Sequence, residues 1–166
     1  MQPSSSSKYQ HLTGEHPFTD PGQVILFLIF VSILILDLFV LKFSNKIIGS
    51  VSGVITIPLF LFFLLSGSYC IFISHQTIFK SPKKETGIVT KGIFSRVRHP
   101  MYLGSMLLFL SFVILSCSVL AFLIWIVICF FYYFVSRYEE KLLINKFGKE
   151  YKKYQEKVPM FIPFWK

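Results

Sequence analysis

Between Met101 and Val135 the chain runs for 35 residues without a charged side chain. As one straight helix that run would rise about 52 Å, far more than the roughly 30 Å hydrocarbon core of a bilayer. It must therefore tilt severely or fold back on itself. The Ser116-Cys117-Ser118 step offers a turn and divides the run into two short spans that form a tight hairpin. Two further apolar stretches precede it. Gln23–Leu41 is broken only by Asp37, and Ile47–Ser74 carries Pro58, where a bend is expected. Ser66, Gly67 and Ser68 in the second stretch suit close helix packing. The expected architecture is an all-α integral membrane protein with about four transmembrane helices, the last two a hairpin. An amphipathic cytoplasmic C-terminal segment completes it.

Composition agrees with lipid as the solvent. Apolar residues make up 54% of the chain and charged residues 15%, with twenty phenylalanines. The net charge of +9 is localised, and no aromatic–basic interleaving on a soluble face points to nucleic acid. Cys70, Cys117 and Cys129 lie in apolar runs without metal-ligand spacing and read as packing residues. Residues 1–22 form a polar, Ser-rich tail without the pattern of a signal peptide, and His11 and His16 in it read as solvated. The chain then divides into two membrane helices over 23–74 and a third region over 75–166.

Charge sets the topology. With four crossings, fifteen of the seventeen Lys and Arg fall in the tail, the 75–100 segment and the C-terminal region, all on one side. Only Lys42 and Lys46 fall on the other. The positive-inside rule makes the crowded side cytoplasmic. Asp37, about one turn from the end of its span, reads as snorkelling or bonding within the bundle. In the last segment Leu143, Phe147, Tyr151 and Tyr154 recur at helical spacing, and Gly148 suits a helix end. Pro159 and Pro163 prevent a longer helix beyond it. The lysines of this segment are expected near anionic headgroups, with Phe161, Phe164 and Trp165 at the interface.

The hairpin also makes a site. Arg98, His99 and Pro100 stand just before the third span, and Arg137, Glu139 and Glu140 stand just after the fourth. Antiparallel helices bring these two points to one depth, and charges clustered between spans are a functional-site hypothesis. A carboxylate can accept both hydroxyls of a ribose. Pro100 suits the first helical turn, whose backbone N–H groups favour an anion. Gly104 allows close approach of a ligand or a neighbouring helix. An arginine can hold a substrate carboxylate bidentately. The residues suit a nucleotide-like cofactor beside a lipid-borne acid, and equally a plain interfacial anchor, for which Arg96 and Arg98 are the basic flank.

The pattern "GIVTKGIFSRVRHPMYLG", then an apolar hairpin, then "RYEEKLLINKFGKEYKKYQEKVPMFIP", resembles the isoprenylcysteine carboxyl methyltransferase family. The phospholipid N-methyltransferases share its looser form. The likeness covers roughly residues 86–163. It implies an S-adenosyl-L-methionine-dependent methyltransferase acting on a lipophilic or prenylated substrate that enters from the bilayer. By position it implies cofactor contacts at Ile88, Val89, Phe94, His99, Pro100, Met101, Tyr102 and Glu139. Phe94 stands where many relatives have tyrosine. Arg137 is implied as the group that orients substrate, although eukaryotic members place their arginine where this chain has Val135. Glu140 is implied as its catalytic neighbour or a support for Glu139.

Methyl transfer is a displacement at a sulfonium carbon, so the protein mainly positions and desolvates. A carboxylate acceptor is already ionised near neutral pH and needs no base. An amine or thiol acceptor, as in a phospholipid or small-molecule N/S-methyltransferase, needs one, and His99 or Glu140 is the candidate. The remaining alternatives are an NADPH-dependent membrane enzyme like the sterol reductases and a non-enzymatic membrane protein.

Overall fold

The computed structural model describes residues 19–44, 53–80 and 87–162. The expectations for His11, His16, Lys46, the start of the second span at Ile47, Pro163, Phe164 and Trp165 concern residues outside these. The described residues are helical and contain no strand. Helix α1 (Thr19–Ile35) passes into a π-helical segment (Leu36–Leu41), and α2 (Gly53–Lys80) comes next. A 3-10 turn (Gly92–Ser95) leads to α3 (Pro100–Ser116), then α4 (Val119–Phe147) and the short α5 (Lys149–Lys157).

Three of these helices are long and apolar enough to cross a membrane: Pro21–Leu41, Gly53–Ile78 and Val119–Phe147. Pro100–Ser116 is apolar but shorter. Large apolar side chains such as Phe39, Val54, Leu65, Phe72 and Phe134 point outward. In water such a surface would drive association, whereas in lipid it is the solvated face.

The apolar run does fold back at the Ser116-Cys117-Ser118 step. Cys117 takes a left-handed conformation at φ 49°, and the Ser118 side chain caps α4 by accepting from Ala121 N at 3.1 Å. α3 packs most extensively on α2, α4 packs on α3, and α1 packs on α4. The second span differs from its expected limit, continuing past Ser74 to Lys80 with Pro58 inside it. α4 likewise does not end near Val135 but carries Glu139 and Glu140 on one continuous helix.

Two local features hold the bundle. Gly67 of α2 faces Gly104 of α3, so the two backbones nearly touch. A Cβ at Gly67 would lie 2.7 Å from the Gly104 carbonyl oxygen and 3.0 Å from Leu108 N. Gly104 therefore serves helix contact. Backbone cannot rotate aside as a side chain can, so Gly67→Ala is expected to force the helices apart. Overpacking of this kind costs about 1–3 kcal/mol, against at most about 1 kcal/mol gained in helix propensity. A lower melting temperature in detergent is the expected result, and a higher one would mean the crossing is loose.

The second feature is Asp37, which is buried in the bundle as expected of a polar contact there. Its Oδ1 accepts from Phe43 N at 3.1 Å and Ser44 N at 3.2 Å. Its Oδ2 accepts from the hydroxyls of Ser44 and Ser118. Ser44 Oγ in turn accepts from Val119 N at 2.8 Å. One carboxylate thus ties the end of the first span to the hairpin turn.

Candidate functional site

The other end of the hairpin gathers the charged residues. His99 precedes α3 in a non-helical conformation, and Pro100 occupies the first turn. That fit lets the chain turn sharply into the helix. Facing them on α4 are Tyr132, Ser136, Glu139 and Glu140, all buried and all on one side of the helix.

His99 stands between the two carboxylates. Its Nε2 lies 3.2 Å from Glu140 Oε1 and its Nδ1 lies 3.7 Å from Glu139 Oε2. The Tyr102 hydroxyl donates to Glu139. The rings of His99 and Tyr102 stack at 5.8 Å, and Tyr102 stacks on Tyr132 at 5.2 Å. The sequence motifs at the two ends of the apolar run therefore meet through named contacts.

Arg98 is the bracket around this cluster. Its Nε donates to Glu140 Oε1 at 2.6 Å, and its Nη1 donates to the carbonyls of Gln155 at 3.1 Å and Val158 at 2.5 Å. Its backbone N–H donates to the Pro159 carbonyl, as that of His99 does to Met160. Gln155 Nε2 donates to Glu140 Oε2 at 2.9 Å. Glu140 thus receives three side-chain donors while almost fully buried. Sequence reasoning put Arg98 in the charged cluster or on the basic flank but named no partner for it. Its partners are mostly backbone carbonyls, which leave no side-chain signature.

α5 closes over the same region. Gly148 breaks the helix at φ 56° with its N–H bonded to the Ile144 carbonyl, as its position suggested. Tyr151, Tyr154 and Val158 are buried, with Ile88, Leu143, Ile144 and Phe147 packed on them. The apolar face of this segment thus rests largely on protein. The Tyr154 hydroxyl donates to the Phe94 carbonyl at 2.6 Å. Burial, with the Glu140 carboxylate nearby, pushes the phenols of both Tyr151 and Tyr154 well above their ordinary pKa, so they remain neutral.

The residues singled out in the sequence fall into three groups. His99, Pro100, Tyr102, Glu139 and Glu140 come together. Ile88 and Phe94 contact the α5 cluster one layer away, while Val89 is half-buried beside Ile88 and Met101 is 38% exposed. Arg137 is exposed, and its side chain makes no hydrogen bond or ion pair among the described residues. At about 100° per residue it is turned away from the Glu139–Glu140 face, onto the side that carries Phe130, Phe134 and Lys141.

A family model for phospholipid methyltransferases matches residues 48–150. The chain belongs to the phospholipid methyltransferase family. The match takes in α2, the RHP segment and the hairpin, and it ends just beyond the glutamate pair. Within the family, the chain is similar to protein-S-isoprenylcysteine O-methyltransferases. It is 36% identical to that of Xenopus laevis over 81 residues, which is 48% of this chain and 28% of the relative. It is 36% identical to that of Saccharomyces cerevisiae over 93 residues, 55% of this chain and 39% of the relative. The Arabidopsis thaliana protein of the same name, form B, is 30% identical over 79 residues, 46% of this chain and 40% of the relative. The chain spans less than half the length of these curated relatives. No solved structure matches it. The resemblance carried by the RHP and EE motifs is borne out, and with the apolar helices it makes this phospholipid methyltransferase family member an integral membrane protein.

Proposed function

We propose that this protein transfers the methyl group of S-adenosyl-L-methionine to a lipophilic carboxylate, as the names of its relatives suggest for an isoprenylcysteine. The observation that carries the reading is the buried His99–Tyr102–Glu139 cluster, held by Arg98 and Glu140 at the end of the hairpin.

The residues fit such a cofactor. Its ammonium and ribose hydroxyls are hydrogen-bond donors, and Glu139 offers a buried carboxylate to accept them. Its sulfonium is a cation, and the stacked His99 and Tyr102 present aromatic faces beside that carboxylate. When bound, the cofactor supplies an electrophilic methyl group. The chain's own part is to bind, orient and exclude water. Pro100 fixes the start of α3, so that His99 and Tyr102 keep their stacking. Tyr102 fixes one oxygen of Glu139. Glu140 holds His99 in place through Nε2, and its three donors leave it poorly suited to take a proton. A carboxylate acceptor needs no base, and the names of the relatives favour it over an amine or thiol.

Arg137 is exposed among Phe130, Tyr133 and Phe134 on the outer face of α4 and turned from Glu139, where it would attract the carboxylate of an acceptor on its way through the bilayer and not hold it during transfer. In this reading α3 also crosses the membrane, making four spans. The positive-inside rule supports a cytoplasmic face for the site in this reading. Exposed Lys149, Lys152, Lys153 and Lys157 on α5 would lie along the headgroups there.

Titration calorimetry in detergent with S-adenosylhomocysteine, and separately with NADPH, tests the proposal. Binding of the former and not the latter is expected. Glu139→Gln should weaken that binding at least about tenfold, the loss of one charge-assisted hydrogen bond. Heat with NADPH alone would replace this reading by a reductase.

A further inference from the structure

Ser136 is fully buried, and its Oγ has no hydrogen-bond partner among the described residues. No other described buried side-chain nitrogen or oxygen is in that condition. A helical serine has a ready remedy, since its hydroxyl can donate to a carbonyl three or four residues back. Ser74, Ser105, Ser111 and Ser116 all do so, onto Cys70, Met101, Leu108 and Val113. Ser136 does not turn back to its own helix. It caps nothing, and as core filling an alanine would serve better.

Its surroundings say what the hydroxyl is for. Ser136 stands one turn after Tyr132 and one turn before Glu140, on the buried face of α4. Tyr132 stacks on Tyr102, which donates to Glu139. The unpartnered hydroxyl therefore belongs to the buried face of α4 that also carries Tyr132, Glu139 and Glu140. A ligand accommodated there brings N–H or O–H donors, and a serine oxygen adds an acceptor to that of Glu139 without adding charge.

We infer that Ser136 is a binding residue of this site, its hydroxyl completing with Glu139 the set that receives the polar hydrogens of an S-adenosyl ligand. The inference rests on the methyltransferase reading and adds to it a residue to which neither the motifs nor the relatives point. It makes opposite predictions for the free and the bound protein. A hydroxyl that served the fold would be missed in the free protein, whereas one held for a ligand is a burden until the ligand arrives.

The test is Ser136→Ala in detergent, with melting temperature and calorimetry read together. The expected result is a melting temperature equal to or above that of the parent, with S-adenosylhomocysteine bound about three- to tenfold more weakly. Methylthioadenosine, which keeps the ribose but lacks the amino-acid end, locates the contact. Equal weakening of both ligands puts it on the nucleoside, and weakening of S-adenosylhomocysteine alone puts it on the ammonium. Unchanged affinity for both ligands, or a melting temperature several degrees lower, overturns the inference while leaving the methyltransferase reading standing. A parent protein that binds neither ligand overturns both.

Discussion

Arg98→Ala is expected to be among the most damaging single changes outside the residues that touch ligand. The variant removes a buried guanidinium that bonds Glu140 and two backbone carbonyls at the end of α5. Only 10% of the Arg98 side chain and 2% of that of Glu140 are exposed, so water cannot replace what is lost. Breaking one side of such a buried pair costs about 3–5 kcal/mol, mostly from the charge left behind. The damage should be both global and local. Thermal unfolding in detergent should shift down by many degrees, and residues 149–162 should become open to limited proteolysis. Arg98→Lys should rescue little, because an ammonium cannot span a carboxylate and two carbonyls in one plane. Combining Arg98→Ala with Glu140→Gln should cost less than the two changes summed, because the second removes the charge stranded by the first. Parent-like melting and proteolysis would show that the bracket holds nothing.

The second large effect is expected at the opposite end of the bundle. Asp37→Ala takes the acceptor from two backbone N–H groups and two hydroxyls. Each buried donor left without a partner costs roughly 1–3 kcal/mol, so the total reaches several kcal/mol even if the hydroxyls turn to other acceptors. Asp37→Asn keeps one of the two oxygens and should be milder. The site's own residues are untouched, so parent-like affinity for S-adenosylhomocysteine is expected in whatever fraction remains folded. An Asp37→Ala protein as heat-stable as the parent would remove the carboxylate from the account of the fold.

How far the sequence could be read depended on whether a feature was local. The hairpin was legible because a charge-free run longer than a bilayer leaves the chain few choices and Ser116–Ser118 marks the turn. The end of α4 at Gly148 was legible for a similar local reason. The meeting of His99 with Glu139 and Glu140 came from the antiparallel geometry. The bracket did not, because an arginine that flanks a membrane and one that grips carbonyls look alike in a string of letters. Arg137 was grouped with Glu139 by proximity along the chain, whereas helical phase puts the two on different sides of α4. The spacing of Tyr151 and Tyr154 gave an amphipathic helix but not what would cover it, since Ile88 and Phe94 are far away in sequence. That Asp37 bonds within the bundle was legible from an acid in an apolar span, but its partner Ser118, 81 residues away, was not.

The shortness of α3 has a consequence for the lipid around it. Its 17 residues rise about 25 Å, less than the roughly 30 Å of an average hydrocarbon core. In the proposed four-span reading, with Arg98 and His99 at one surface, the turn at Cys117 and Ser118 would stop short of the opposite headgroups. A bilayer thinned to meet it would do so at a cost that grows with the length of the acyl chains. On that reading α3 gives the protein a preference for a thin membrane around this helix.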